Sequence, residues 1–239
     1  MKGVIRRIKD EECLKGRQIH LLCLAGSRAY GTNVDSSDID IRGFCSNSAK
    51  DTLGLTQSSF SIKEGELDVV LYSLKHIFYL LMRQNPNTLE ILGCRNKNYI
   101  FMDYVGQELI RNRRLFITKN VYNTFGKYVG DQLSKVKHDI RDRNKVAKNL
   151  MHLVRLLYTG EQLLRTGDIK TYRDKERHQL LWIRSGAGLN GNNSIKPKLQ
   201  KIIDNARKDM DRAMRTTKLP EELDYDKIAN LYKDLNYYK

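Results

Sequence analysis

The chain has 239 residues, with 43 lysines and arginines against 28 aspartates and glutamates, and a formal net charge of +15. That length can bury a substantial core, as one domain or two smaller ones, and that charge favours a polyanionic partner, chiefly nucleic acid. The longest apolar run is far short of the ~20 residues that cross a bilayer, the basic start lacks the apolar stretch of a secretion signal, and the four scattered cysteines supply neither a disulfide framework nor a zinc site, so a reduced, cytoplasmic protein is expected.

Residues 1 to 17 alternate charged and apolar positions, as in an N-terminal helix or a short strand leading into one. Ile19 to Ala25 reads as a buried strand that stops at Gly26-Ser27, with Cys23 a core residue and His20 structural. A turn-rich segment follows, and a second strand is expected from Ile39 to Cys45. Alternation puts Asp38 and Asp40 on one face, roughly 7 Å apart along the backbone. Paired carboxylates repel each other and call for a compensating cation; a hard divalent ion such as Mg²⁺, or Mn²⁺, suits oxygen donors. The small Gly26-Ser27 step lets backbone N–H groups and a hydroxyl approach a phosphate. Asp51 to Phe60 reads as a polar, turn-like excursion, and Glu66 to Tyr72 as a third strand with Asp68 near its start. Ser73 should cap a helix carrying Leu74, Ile77, Phe78, Leu81 and Met82 at helical spacing, which Asn85-Pro86-Asn87 should end. Thr88 to Leu92 should form a short helix bearing Glu90, which by pattern alone reads as a plain helix-face acid.

From Tyr99 the composition turns helical and basic, which places a division near residue 98: 1–98 and 99–239. Helical periodicity marks Tyr104 to Arg113, Val121 to Lys137, Lys145 to Arg165, Asp174 to Arg184 and Lys198 to Thr216, and Pro220 should begin a last helix. Lys148, His152, Arg155 and either Tyr158 or Thr159 fall on one side of their helix. They form a second wall for a nucleotide triphosphate or an RNA backbone, or only a basic polar side. Tyr232, Tyr237 and Tyr238 suit packing better than base stacking.

Gly26-Ser27, followed by Ser37-Asp38-Ile39-Asp40, resembles the signature of the DNA polymerase β-type nucleotidyltransferase superfamily. With Arg28, Tyr30-Gly31-Thr32 and Arg42-Gly43, the string is similar, more narrowly, to predicted bacterial and phage nucleotidyltransferases, some of them RNA-ligase-associated. The likeness continues through Leu67-Asp68-Val69-Val70, Asn85 to Glu90 and His152 to Gly167. It implies an α+β protein: a polymerase β-like palm, with a mixed sheet and helices, followed by an all-helical, basic substrate-binding domain. It also implies that Asp68, with Glu66 as the fallback, is the third carboxylate facing Asp38 and Asp40, and that Glu90 has a supporting role near the site. On this reading Asp38, Asp40 and Asp68 are the catalytic metal ligands, and Gly26 and Ser27 hold phosphates. Arg28 is expected, ahead of Arg42, to offset the phosphate charge, and Lys148, His152 and Arg155 contact the nucleotide. The expected reaction moves an NMP from an NTP to a hydroxyl acceptor, RNA first, with release of pyrophosphate. Nucleotidylation of a protein or small molecule, and a noncatalytic RNA-binding module, are the alternatives.

Overall fold

The computed structural model describes residues 6, 8, 11, 14–35, 37–54 and 59–238. Most of the expected N-terminal element, including Cys13, therefore lies outside the described residues, as do Ser36 and residues 55–58. A five-stranded sheet has the order β3-β4-β2-β1-β5, from β1 (Ile19–Leu24), β2 (Ile39–Cys45), β3 (Ser59–Glu64), β4 (Leu67–Ser73) and β5 (Tyr99–Met102). The pairings are antiparallel except β2 with β4, which is parallel.

Two of these strands depart from the expected elements. Ser59–Glu64 is an edge strand in a hairpin with β4, its first two residues falling in the stretch Asp51 to Phe60 that was expected to be turn-like. Its sequence, Ser-Phe-Ser-Ile-Lys-Glu, has only Phe60 and Ile62 partly buried, so the apolar signal is thin. Tyr99–Met102 pairs with β1 and extends the sheet past residue 98, where helix was expected to begin.

Alternation on the strands separates two environments. Ile41, Cys45, Val69 and Leu71 enter one small apolar cluster with Ile8, Leu14, Ile19 and Leu22. The opposite phase of β2 and β4 carries Asp40, Arg42, Phe44, Asp68, Val70 and Tyr72. Phe44, together with Leu21 of β1, joins the main core shared with the helices. The polar residues of this phase thus face the helical layer.

The helices are α1 (Gly26–Tyr30), α2 (Ala49–Thr52), α3 (Leu74–Met82), α4 (Pro86–Leu92), α5 (Tyr104–Arg111), α6 (Val121–His138), α7 (Arg143–Thr166), α8 (Arg177–Arg184), α9 (Pro197–Thr216) and α10 (Tyr225–Asn236). Ser73 caps α3 as expected, its hydroxyl accepting from the His76 N–H. Pro86 opens α4 instead of only ending α3, because Asn85 caps it and proline suits the first helical position. Pro220 does not begin the last helix: its carbonyl accepts from the Lys119 N–H at 3.0 Å, and Asp224 caps α10. Leu150, Val154, Phe125, Leu199 and Ile228 continue the apolar cluster that holds Leu21 and Phe44, so sheet and helices share one core. Among the described residues no helix is long and apolar enough to cross a membrane.

Candidate active site

The carboxylates meet because β2 and β4 run in register. Asp40 and Asp68 are direct partners across the parallel pair, so both side chains rise side by side from the same sheet face. Asp38 precedes β2 and lines the same cavity of about 510 Å³ with Asp40 and Asp68. Burial pushes the Asp40 carboxyl above its ordinary value; Arg42 opposes this, Asp68 and Asp38 add to it, and Lys148 opposes it again. Negative charge is concentrated here and only partly offset.

Gly26 sits directly against Asp40. Its φ of +55° is a left-handed conformation, and a Cβ there would lie 2.0 Å from Asp40 Oδ2. Hence the Gly-Ser turn approaches the carboxylates as closely as the backbone allows. Gly26 and Ser27 both line the cavity.

Of the two arginines, Arg42 is the one that faces the carboxylates. Its Nη2 reaches Asp68 Oδ2 at 3.2 Å and Asp40 Oδ1 at 3.4 Å, and its Nη1 donates to the Asp68 carbonyl at 2.9 Å. Arg28, the expected partner of the phosphates, does not line the cavity; it donates instead to the Ser37 carbonyl at 3.3 Å. It braces the loop between α1 and β2.

The α7 stripe divides. Lys148 is exposed and lines the cavity beside His152. Arg155 is corrected to a structural position: it is 4% exposed, absent from the cavity wall, and paired with Glu90. Tyr30 completes that cluster by donating to Glu90 at 2.7 Å beneath the Arg155 guanidinium, 3.8 Å from its ring centroid. Burial raises the Tyr30 hydroxyl well above its ordinary value and keeps it a donor. Glu90 is thus more than a plain helix-face acid. Tyr158 and Thr159 turn inward, to Gln179 and the Arg155 carbonyl.

His152 lies edge-on to Tyr30 with centroids 6.2 Å apart. Burial, followed by Arg155, Lys148, Arg184 and Lys135, pushes its imidazole down to about 3. The folded chain therefore resists a proton that the unfolded chain accepts near pH 6.5. This group has no effect above that pH, and it costs stability as pH falls from there toward 3. Between pH 7 and pH 5 it should remove about 2 kcal/mol. Urea unfolding at both pH values measures this: His152→Gln should lose less stability than the parent on acidification, and equal losses would refute the account.

Arg184, at the end of α8, and Tyr72 of β4 also line the cavity, and the sequence reading named neither as a site residue. No local pattern marks Arg184; only the packing of α8 against α7 brings it in. Tyr72 could have been found from its spacing of four from Asp68 on one strand face.

The donor set suits a hard divalent cation: Asp38, Asp40 and Asp68 supply only carboxylate oxygens, opposed locally by one guanidinium. Among the described residues no three such groups are already gathered as a ligand cage, and Arg42 spans Asp40 and Asp68. A cation engaging both would share or displace that guanidinium.

The profile of the family described as RlaP, RNA repair pathway DNA polymerase beta family, matches residues 2–234. No curated protein matches the sequence. Among solved structures, the chain is similar to a nucleotidyltransferase-like protein from Exiguobacterium sibiricum 255-15, at 10% identity and a TM-score of 0.34, over 90% of this chain and 75% of that one.

Proposed function

The chain belongs to the RNA repair pathway DNA polymerase beta family, and we propose that it transfers an NMP from an NTP to a hydroxyl of an RNA end, releasing pyrophosphate. The observation that carries this reading is the register pairing of Asp40 with Asp68 beside a glycine that admits no Cβ. The acceptor oxygen attacks the α-phosphorus, the bond to the bridging oxygen of the β-phosphate breaks, and the hydroxyl proton passes to Asp68. Asp38, Asp40 and Asp68 would hold Mg²⁺ or Mn²⁺, which supplies charge neutralisation at the phosphates and lowers the pKa of the attacking hydroxyl. Gly26 and Ser27 present backbone N–H groups and a hydroxyl to the β- and γ-phosphates. Lys148 and Arg184, on the helical side of the cavity, add positive charge to the triphosphate's other flank.

Incubation with each α-labelled NTP, Mg²⁺ or Mn²⁺, and RNA tests this. Label should enter RNA and do so less as salt rises, since a bound polyanion releases counterions. Label on protein instead would redirect the acceptor assignment. Binding of RNA without transfer of any nucleotide would point to a noncatalytic module.

A further inference from the structure

Helix α3 buries Leu74, Ile77, Phe78 and Leu81, which satisfies its contact with the core. Its other side carries a second ordered feature. Tyr72, in the cavity wall, lies 5.7 Å from the His76 ring at an interplanar angle of 37°. His76 stacks on Tyr79 at 6.1 Å and 20°. Arg83 then closes the row, its guanidinium 5.3 Å from the Tyr79 ring centroid and its Nη1 donating to the Tyr79 hydroxyl at 2.9 Å. The spacing of three and four residues keeps His76, Tyr79 and Arg83 on one side of the helix, over about 10 Å, with Tyr72 beside them at the end of β4. Tyr79 is 48% exposed, so part of its ring is open to a ligand.

We propose that this row is a platform for the acceptor strand: single-stranded RNA entering the cavity lays its bases against Tyr72, His76 and Tyr79, with Arg83 at the far end. The proposal rests on the reading of the cavity as a transferase site for an RNA end. Single strands are gripped by aromatic faces because every base has a π-face, and arginine planes serve the same purpose. A stacked row that starts in the cavity wall and runs outward is longer than a mononucleotide needs and suits a chain that must deliver its terminus inward. Burial holds the His76 imidazole below its ordinary value, so at neutral pH it is an uncharged ring suited to stacking.

Fluorescence anisotropy with a labelled single-stranded RNA of about 15 nucleotides tests the platform. The His76→Ala/Tyr79→Ala protein should bind it about tenfold to a few hundredfold more weakly, with unchanged affinity for a free NTP. Tyr79→Phe, which keeps the ring, should bind nearly as the parent does. An abasic strand of the same length should bind the parent weakly and should not distinguish parent from double variant. Equal binding of normal RNA by parent and double variant would overturn the proposal, as would full binding of the abasic strand. RNA and DNA of one sequence bound alike would support recognition through base faces, whereas binding of DNA alone would overturn the assignment to RNA. An Asp40→Asn protein separates the platform from the chemistry. If that protein still transfers nucleotide, the reading of the carboxylates fails; if the double variant keeps its RNA affinity, the platform fails.

Discussion

Asp40→Asn is expected to lower turnover by about a thousandfold or more, with a melting temperature, measured in chelator, equal to or above that of the parent. The two effects have opposite signs for one electrostatic reason. Asp40 is half-buried, faces Asp68 across a register pair and feels Asp38, while Arg42 supplies one positive charge between them. Charge repulsion of this kind destabilises the fold when no cation is bound, so making Asp40 neutral relieves it. The same crowding is what gives a divalent cation and a triphosphate their place, and an amide cannot replace a carboxylate there. Asp68→Asn should lose activity similarly, and the double variant should fall little further, because residues acting as one unit are not additive. Steady-state kinetics beside calorimetry decide this. A clear fall in melting temperature with activity intact would show that Asp40 is structural.

Much of this site was legible in the chain because local rules and tertiary packing agree there. The span of β2 was expected as Ile39 to Cys45 and is found so, since its apolar alternation matches the buried face it makes. The face shared by Asp38 and Asp40 followed from the same period, while the place of Asp68 opposite Asp40 followed from family resemblance and is realised by the β2–β4 register. What escaped is non-local. β5 is four half-buried residues whose partner, β1, lies more than seventy residues earlier, so no local period marks it. Arg155 escaped for a different reason. Seven residues beyond Lys148 it returns to nearly the same angular position on α7, but about 10 Å further along the axis. That translation takes it from the cavity rim to the protein interior. Helical periodicity reports angle, and burial along the axis depends on what crosses the helix.

Arg155→Met is expected to destabilise the protein by about 3–5 kcal/mol, because it strands a buried carboxylate. Glu90 is 5% exposed, and its hydrogen-bond partners in the cluster are the Tyr30 hydroxyl and the Arg155 guanidinium. The same residue's carbonyl accepts from Thr171 at 2.6 Å. Around it the α1 end is tied to the helical part: the Arg173 N–H reaches the Tyr30 carbonyl at 3.2 Å, and Arg177 Nε donates to the Gly31 carbonyl at 2.8 Å. Gly31, at φ +81°, fits against the Tyr172 ring, where a Cβ would meet carbon at 2.4 Å. The motif segments around Tyr30, Glu90 and Arg155 are therefore one buried junction, and α1 carries its position to Gly26 and the Asp40 carboxylate. Glu90→Gln on top of Arg155→Met should recover a large part of the loss, since the unpaired charge is gone while the amide oxygen still accepts from Tyr30. Urea unfolding of the two single variants and the double variant forms the cycle. A double variant no more stable than Arg155→Met alone would mean that the guanidinium acts through packing over Tyr30, with its charge on Glu90 contributing little.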